Sequence, residues 1–174
     1  MIKIQARVRG YLTLRRFKEH IKRQDFHDHL DAAKYFTREE GKETLRPESV
    51  IAICDMHEMP ESRGMYTYHC SGATYLGHWL GGMRHGEGRM TWRDGATYEG
   101  TWYCNQASMY GRFTYPNGDI YEGSWASNLM CGYGVYRHQK GTVYRGQWFQ
   151  GMMHGKGEET WIEGSQYLGD YVDG

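Results

Sequence analysis

A period of 23 residues constrains this chain more than anything else in it. Tyr75, Tyr98, Tyr121, Tyr144 and Tyr167 stand 23 positions apart. Gly77, Gly100, Gly123, Gly146 and Gly169 follow two residues later, then Trp79, Trp102, Trp125 and Trp148 two later again, with Tyr171 in the fifth copy. Register held over four steps is the mark of a repeat architecture, whose units bury their apolar faces only against their neighbours. In an extended chain, residues i, i+2 and i+4 share a face. The Tyr, Gly and Trp of each copy therefore point the same way, with a gap at the glycine between two large rings. Glycine weakens a strand unless something packs closely on it, and a ring from the neighbouring strand is the expected filler.

Each unit also carries two turns. One is marked by Asp94-Gly95, Asn117-Gly118, Lys140-Gly141 and Glu163-Gly164, of which the first two are strong hairpin signals. At the other, Gly82, Asn105, Asn128, Gly151 and Gly174 are equivalent, and glycine alternating with asparagine signals a left-handed backbone. The unit is therefore expected to be a β-hairpin. Written out, it is Tyr-x-Gly-x-Trp-x-x-Gly-x-x-His-Gly-x-Gly, clearest at 75–88 and 144–157. This resembles the MORN repeat in both length and residue type, over roughly 62–174. The resemblance implies a mainly β fold, a single-layer antiparallel sheet of stacked hairpins, with Tyr75, Trp79, Tyr98, Trp102, Tyr121, Trp125, Tyr144 and Trp148 lining one face.

Composition agrees. Residues 62–174 contain nine Leu, Ile or Val, twenty-one aromatics and 22 of the 24 glycines. No aliphatic core is available there, but a thin aromatic layer is, since each Tyr or Trp buries roughly 150–250 Å². Strands about 4.8 Å apart make four and a half hairpins a sheet roughly 40–50 Å long. The array opens on a half-unit, with Tyr66, Tyr68 and the turn Ser71-Gly72 matching a second strand and its turn. Four full units follow, and the sequence closes in a fifth whose first strand awaits a partner from further chain or from another molecule. The second unit is degenerate: Met109 replaces the glycine of Gly86, Gly132 and Gly155, and Ser108 replaces the histidine. Cys131 fills the histidine column of the third. A catalytic or metal-binding ring would not tolerate serine and cysteine there, so turn packing is the expected role of His85 and His154.

Net charge is zero overall but uneven. Residues 1–23 hold eight Lys or Arg against one Glu, residues 24–61 four against ten, and the repeats nine against ten. The basic end is expected to meet something acidic. Ile4, Val8, Tyr11, Leu12 and Phe17 fall near helical spacing, with basic residues on the other faces. Within that helix, Ile4-Gln5-Ala6-Arg7-Val8-Arg9-Gly10, followed by Phe17, resembles an IQ motif. That resemblance implies a helix gripped by calmodulin or a related EF-hand protein, with Ile4, Gln5, Arg9, Gly10 and Phe17 at the contact. Gln5 and Arg9 share a face and offer donors; Gly10 lowers helix stability by about 1 kcal/mol, which close approach by a partner backbone would explain. Leu14 stands where the pattern has a second basic residue, so one lobe of the partner should dominate. Nucleic acid and acidic membrane are further destinations for this charge; a membrane surface is retained and nucleic acid is not.

Residues 24–61 read as a helical cap and linker, the helix continuing through Phe26, Leu30, Ala33 and Phe36 to pack on the first hairpin. Asp25, His27, Asp28, His29 and Asp31 suggest a metal cluster, but only the pairs Asp25/His29 and His27/Asp31 share a helical face, and a structural site needs about four ligands. A solvated face is expected, with no metal and no cofactor. Four cysteines (Cys54, Cys70, Cys104, Cys131) show no disulfide-framework or CxxC spacing, which reads as a reducing, cytoplasmic setting. No P-loop, nucleotide-binding glycine fingerprint or catalytic elbow is present. The expectation is a non-enzymatic scaffold with cytoskeletal or axonemal partners, including those of a cilium. The alternatives are a peripheral membrane or phosphoinositide module, or the regulatory repeats of a larger enzyme.

Overall fold

The computed structural model describes residues 32–36 and 59–172. Ten strands form one sheet: β1 (Glu61–Thr67), β2 (Thr74–Leu80), β3 (Met83–Thr91), β4 (Thr97–Tyr103), β5 (Gln106–Thr114), β6 (Ile120–Ala126), β7 (Leu129–Arg137), β8 (Val143–Phe149), β9 (Met152–Thr160) and β10 (Gln166–Tyr171). Their order across the sheet is their order along the chain, and each pair is antiparallel. The mainly β, single-layer architecture implied by the resemblance is what forms. The half-unit is also present as β1, with Tyr68 taking the place of Trp92: each donates its N–H to an alanine carbonyl across the loop, Ala73 and Ala96.

The two turn columns take different geometries. Within a unit, strands join through two residues that both have positive φ: Gly81-Gly82 (53°, 87°), Cys104-Asn105 (45°, 70°), Ser127-Asn128 (48°, 69°) and Gln150-Gly151 (49°, 83°). These are type I′ connections, whose twist suits paired strands. Asn has a second reason to alternate with Gly here. The Asn105 side-chain carbonyl accepts the Arg84 N–H at 2.9 Å, and Asn128 accepts the Ala107 N–H at 2.7 Å, so each turn is pinned to the preceding unit. Between units the connection is longer. Gly95 bonds back to the Trp92 carbonyl at 3.0 Å while Trp92 N–H donates to Ala96 at 2.9 Å, and Gly118, Gly141 and Gly164 repeat the arrangement. The Asp-Gly and Asn-Gly pairs thus close three-residue loops on a left-handed glycine.

In each of the four full units the second strand has nine residues against seven in the first, and the surplus is absorbed in a bulge. Register breaks at Gly77/Trp79, Gly100/Trp102, Gly123/Ser124 and Gly146/Trp148. On the longer strand the bulge requires a positive φ, supplied by Gly86 (74°), Gly132 (60°) and Gly155 (62°). Met109 adopts φ 59° in the same column. The degenerate second unit therefore keeps the backbone of the others and bears the strain.

The face opposite the aromatic layer carries a ladder of cross-strand charge. Arg89 pairs with Glu99, Glu99 with Arg112, and Arg112 with Glu122; Arg145 pairs with Glu158. Opposite charges facing across strands favour this register, and a slip of one residue would juxtapose each with the other face.

Met109→Gly should raise stability by about 0.5–1 kcal/mol in urea unfolding, because relief of the left-handed side chain outweighs the added freedom of the unfolded glycine. Trp125→Ala, at a position 2 % exposed, should lower it by about 3–5 kcal/mol. A loss below about 1 kcal/mol would show that the ring belongs to a partner's surface rather than to this core.

Candidate functional site

The tyrosine of each unit holds the aromatic face together. Tyr121 lies along its own strand, over Gly123 and the facing Gly134. A Cβ on Gly123 would stand 2.7 Å from the Tyr121 hydroxyl and 2.5 Å from the Gly134 Cα; one on Gly134 would meet the Tyr121 ring at 2.6 Å. The gap is thus filled by the strand's own tyrosine and not, as expected, by a ring from the neighbouring strand. A seven-residue strand running into a bulge leaves room along itself, and the hydroxyl then finds an acceptor three residues on. Tyr75, Tyr98, Tyr121, Tyr144 and Tyr167 donate to the carbonyls of His78, Thr101, Ser124, Gln147 and Asp170 at 3.0, 3.0, 2.9, 2.9 and 3.3 Å.

The tryptophans tie unit to unit. Trp102, Trp125 and Trp148 donate Nε1–H to the carbonyls of Gly88, Gly111 and Gly134 in the preceding unit, at 3.1, 3.1 and 3.3 Å. Each indole stands nearly edge-on between two tyrosines: Trp125 is 5.3 Å from Tyr121 and 5.2 Å from Tyr98, Trp148 5.4 Å from Tyr144 and 5.0 Å from Tyr121. Trp79 heads the row. Its buried Nε1 has no hydrogen-bond acceptor among the described residues, and the Arg63 guanidinium lies 5.7 Å above its ring. All eight aromatics expected on one face are there, none more than 4 % exposed.

A short helix, α1 (Ala33–Phe36), lies on this face. The Phe36 ring sits 5.3–6.0 Å from Trp92, Tyr98, Trp102, Phe113 and Trp125. Tyr35 packs 5.3 Å from Trp92 and 5.2 Å from Phe113. The expectation placed the 24–61 segment on the first hairpin; its helix α1 packs instead on the second and third units and on the close of the first. Residues 59–61 lead into β1, and the rest of that segment, including Asp25, His27, Asp28, His29 and Asp31, lies outside the described residues. So do Ile4, Gln5, Arg9, Gly10 and Phe17.

Residues that might have suggested chemistry pack as turn furniture. His85 lies 5.1 Å from the Tyr103 ring, and His154 5.7 Å from Phe149. Burial lowers the His85 pKa. Among the described residues no group of three His, Cys, Asp or Glu could hold a metal, and no helix is long and apolar enough to cross a membrane. Cys70 and Cys131 are free thiols. Cys104 is disulfide-bonded, a state that the spacing of the four cysteines gave no reason to expect.

The sequence profile of the MORN repeat matches residues 75–97, 98–120, 121–143 and 144–166, which together make up more than half of the chain. The chain belongs to the MORN-repeat family. No curated protein sequence matches it significantly. The four matched segments begin at the four tyrosines that clamp the glycine pairs, so the family's boundary and the structural unit coincide.

Sequence reasoning missed three parts of the MORN face. Arg84, 3 % exposed, stacks 4.3 Å from the Trp102 ring centre and donates to the Asn105 carbonyl at 3.1 Å. Asp119, fully buried, accepts the Tyr136 hydroxyl at 2.5 Å and the Gln139 N–H at 2.8 Å. Both are one-off departures from their columns, which a search for periodicity discards. Phe36 appeared only as one apolar position in a helical run.

Burial pushes the hydroxyls of Tyr75, Tyr98, Tyr121, Tyr144 and Tyr171 well above the ordinary tyrosine range; for Tyr136 the Asp119 carboxylate adds to burial. Their folded pKa values exceed the unfolded one, so the folded state binds more protons once pH passes about 10. The stability they confer is complete below that pH and is lost as pH rises. Alkaline titration should therefore show tyrosinate absorbance from these groups appearing together with loss of the far-ultraviolet β signal. Their ionisation in a still-folded sheet would contradict the clamp.

Proposed function

We propose that this MORN protein is a protein-binding scaffold with no chemistry of its own. The observation that carries the reading is the seat of Phe36: a helical segment from outside the repeats places one ring among five aromatics of the sheet. A surface that accepts an aromatic helix from its own chain has the shape and chemistry to accept one from a partner, in the manner of a helix laid in a groove.

The second element is residues 1–23, whose IQ-like sequence and excess of positive charge suit the acidic surface of calmodulin or a related EF-hand protein. Ile4, Gln5, Arg9, Gly10 and Phe17 form the contact in this reading. A cytoskeletal or axonemal setting in the cytoplasm belongs to the same proposal and rests on the two sequence resemblances. The reading as a phosphoinositide or membrane-surface module has less support from the repeats. Their charges alternate in sign across the sheet, with Arg89, Glu99, Arg112 and Glu122 in consecutive strands, so no basic patch collects there for anionic lipid.

The test is capture of calmodulin by the full chain, with calcium and with a chelator. Binding should survive chelation. The double substitution Ile4→Ala/Gln5→Ala should weaken it at least tenfold, about 1.4 kcal/mol or more, while Arg15→Lys/Arg16→Lys leaves it nearly unchanged. Equal losses in both variants, together with release by salt, would reduce the segment to a basic tail held by charge alone.

A further inference from the structure

The bulge described above has a product on the outer face. The residue after each left-handed position stands on that face: Glu87 on β3, Tyr110 on β5, Tyr133 on β7 and Lys156 on β9, all exposed. Tyr110 and Tyr133 are 59 % and 61 % exposed, the most exposed Tyr, Trp or Phe rings among the described residues. Between these ridges stand residues of the first strands. Glu87 faces Thr101, Tyr110 faces Ser124, and Tyr133 faces Gln147. Short Thr101 and Ser124 leave floors between tall neighbours. On one of those floors a groove of about 350 Å³ is lined by Glu87, Glu99, Thr101, Tyr110 and Arg112.

Met109 adds an independent observation. It keeps a left-handed backbone where glycine would be unstrained, and its side chain is 70 % exposed immediately before Tyr110. Strain kept at the surface points to use. Apolar surface is what the substitution supplies.

We propose that the row Glu87, Tyr110, Tyr133 and Lys156 is a docking strip for a proline-rich peptide in the polyproline II conformation. The spacing selects this occupant. Equivalent residues of adjacent units are two strands apart, about 9.6 Å, and a polyproline II helix repeats every three residues, about 9.3 Å. Prolines three residues apart therefore meet successive tyrosines, the residues between them lie over the Ser124 floor, and those on the Glu87 side lie over Thr101. Aromatic ridges at this interval, with hydroxyls able to donate to the peptide's unbonded carbonyls, are the chemistry by which proline-rich segments are recognised. The ends of the row fix polarity. Glu87, which accepts the Thr101 hydroxyl at 2.8 Å, favours a basic residue beyond one end of the proline pair; at the other end an acidic residue would compete with Asp170, which lies 3.7 Å from Lys156. This face is separate from the aromatic one, so the strip and the Phe36 seat can be occupied together.

The experiment uses the full chain and a fluorescent twelve-residue peptide with proline at every third position, arginine near one end and glutamate near the other. Anisotropy should saturate with a Kd of about 10–100 μM, the range of a small exposed strip. Tyr110→Ala and Tyr133→Ala should each weaken binding at least tenfold without moving the thermal midpoint, since both rings are exposed. Tyr103→Ala, an exposed ring outside the row, should leave it unchanged. Replacing the peptide's prolines by alanine should weaken it at least tenfold. Met109→Gly should make the protein more stable yet the complex weaker. Absence of saturation up to about 1 mM, or equal binding by a Tyr110→Ala/Tyr133→Ala double variant, would overturn the proposal.

Discussion

The fold depends on one contact, repeated: a tyrosine ring lying over two facing glycines, its hydroxyl bonded to a carbonyl of its own strand. The contact resolves a conflict. The second strand of each unit is two residues longer than the first, so the ladder must break, and it breaks next to the glycine pair. The tyrosine hydroxyl reaches the carbonyl at that break, where a buried acceptor left alone would cost about 1–3 kcal/mol. Glycine on both strands is what lets the ring lie flat enough to do so. Tyrosine, glycine pair and bulge are therefore one device, and none of the three makes sense without the others.

The tryptophan converts these separate clamps into a continuous layer. Each indole bonds to the glycine carbonyl of the unit before it and wedges between two tyrosines. Because the bond runs between units, it couples neighbours that would otherwise share only strand pairing. The charges on the outer face act in the same direction, since their alternation fits one register alone. The sheet thus achieves specificity with almost no aliphatic core.

Much of this was legible in the sequence. The 23-residue period gave the hairpins, the shared face of the eight aromatics and the left-handed turn column, because each is a local rule applied at fixed spacing. The origin of the filler was not legible. Residue spacing says that a gap exists at Gly77, but whether Tyr75 or a ring across the strand enters it depends on side-chain direction. The turn columns illustrate the same limit: Asn105 and Asn128 were readable as left-handed, yet their bonds to Arg84 and Ala107 join positions 21 apart. Singular residues were the hardest to see. Phe36, Arg84 and Asp119 break or ignore the period, and a reading built on repetition has no column in which to place them.

The strand order has a consequence for how such a protein can change. Every strand pairs only with the strand before and after it in the chain, so no contact in the sheet closes a long loop. Sequence separation between partners stays small even though the fold is all-β, which favours rapid assembly outward from any one hairpin. The same property makes the array modular in units of 23 residues. Inserting or deleting one whole unit preserves every remaining register, whereas losing a single residue inside a strand would turn the aromatics of that unit out to water. Length can therefore drift by whole hairpins while the surface pattern along each row simply extends, so the reach of the aromatic face is set by copy number rather than by redesign of any one site.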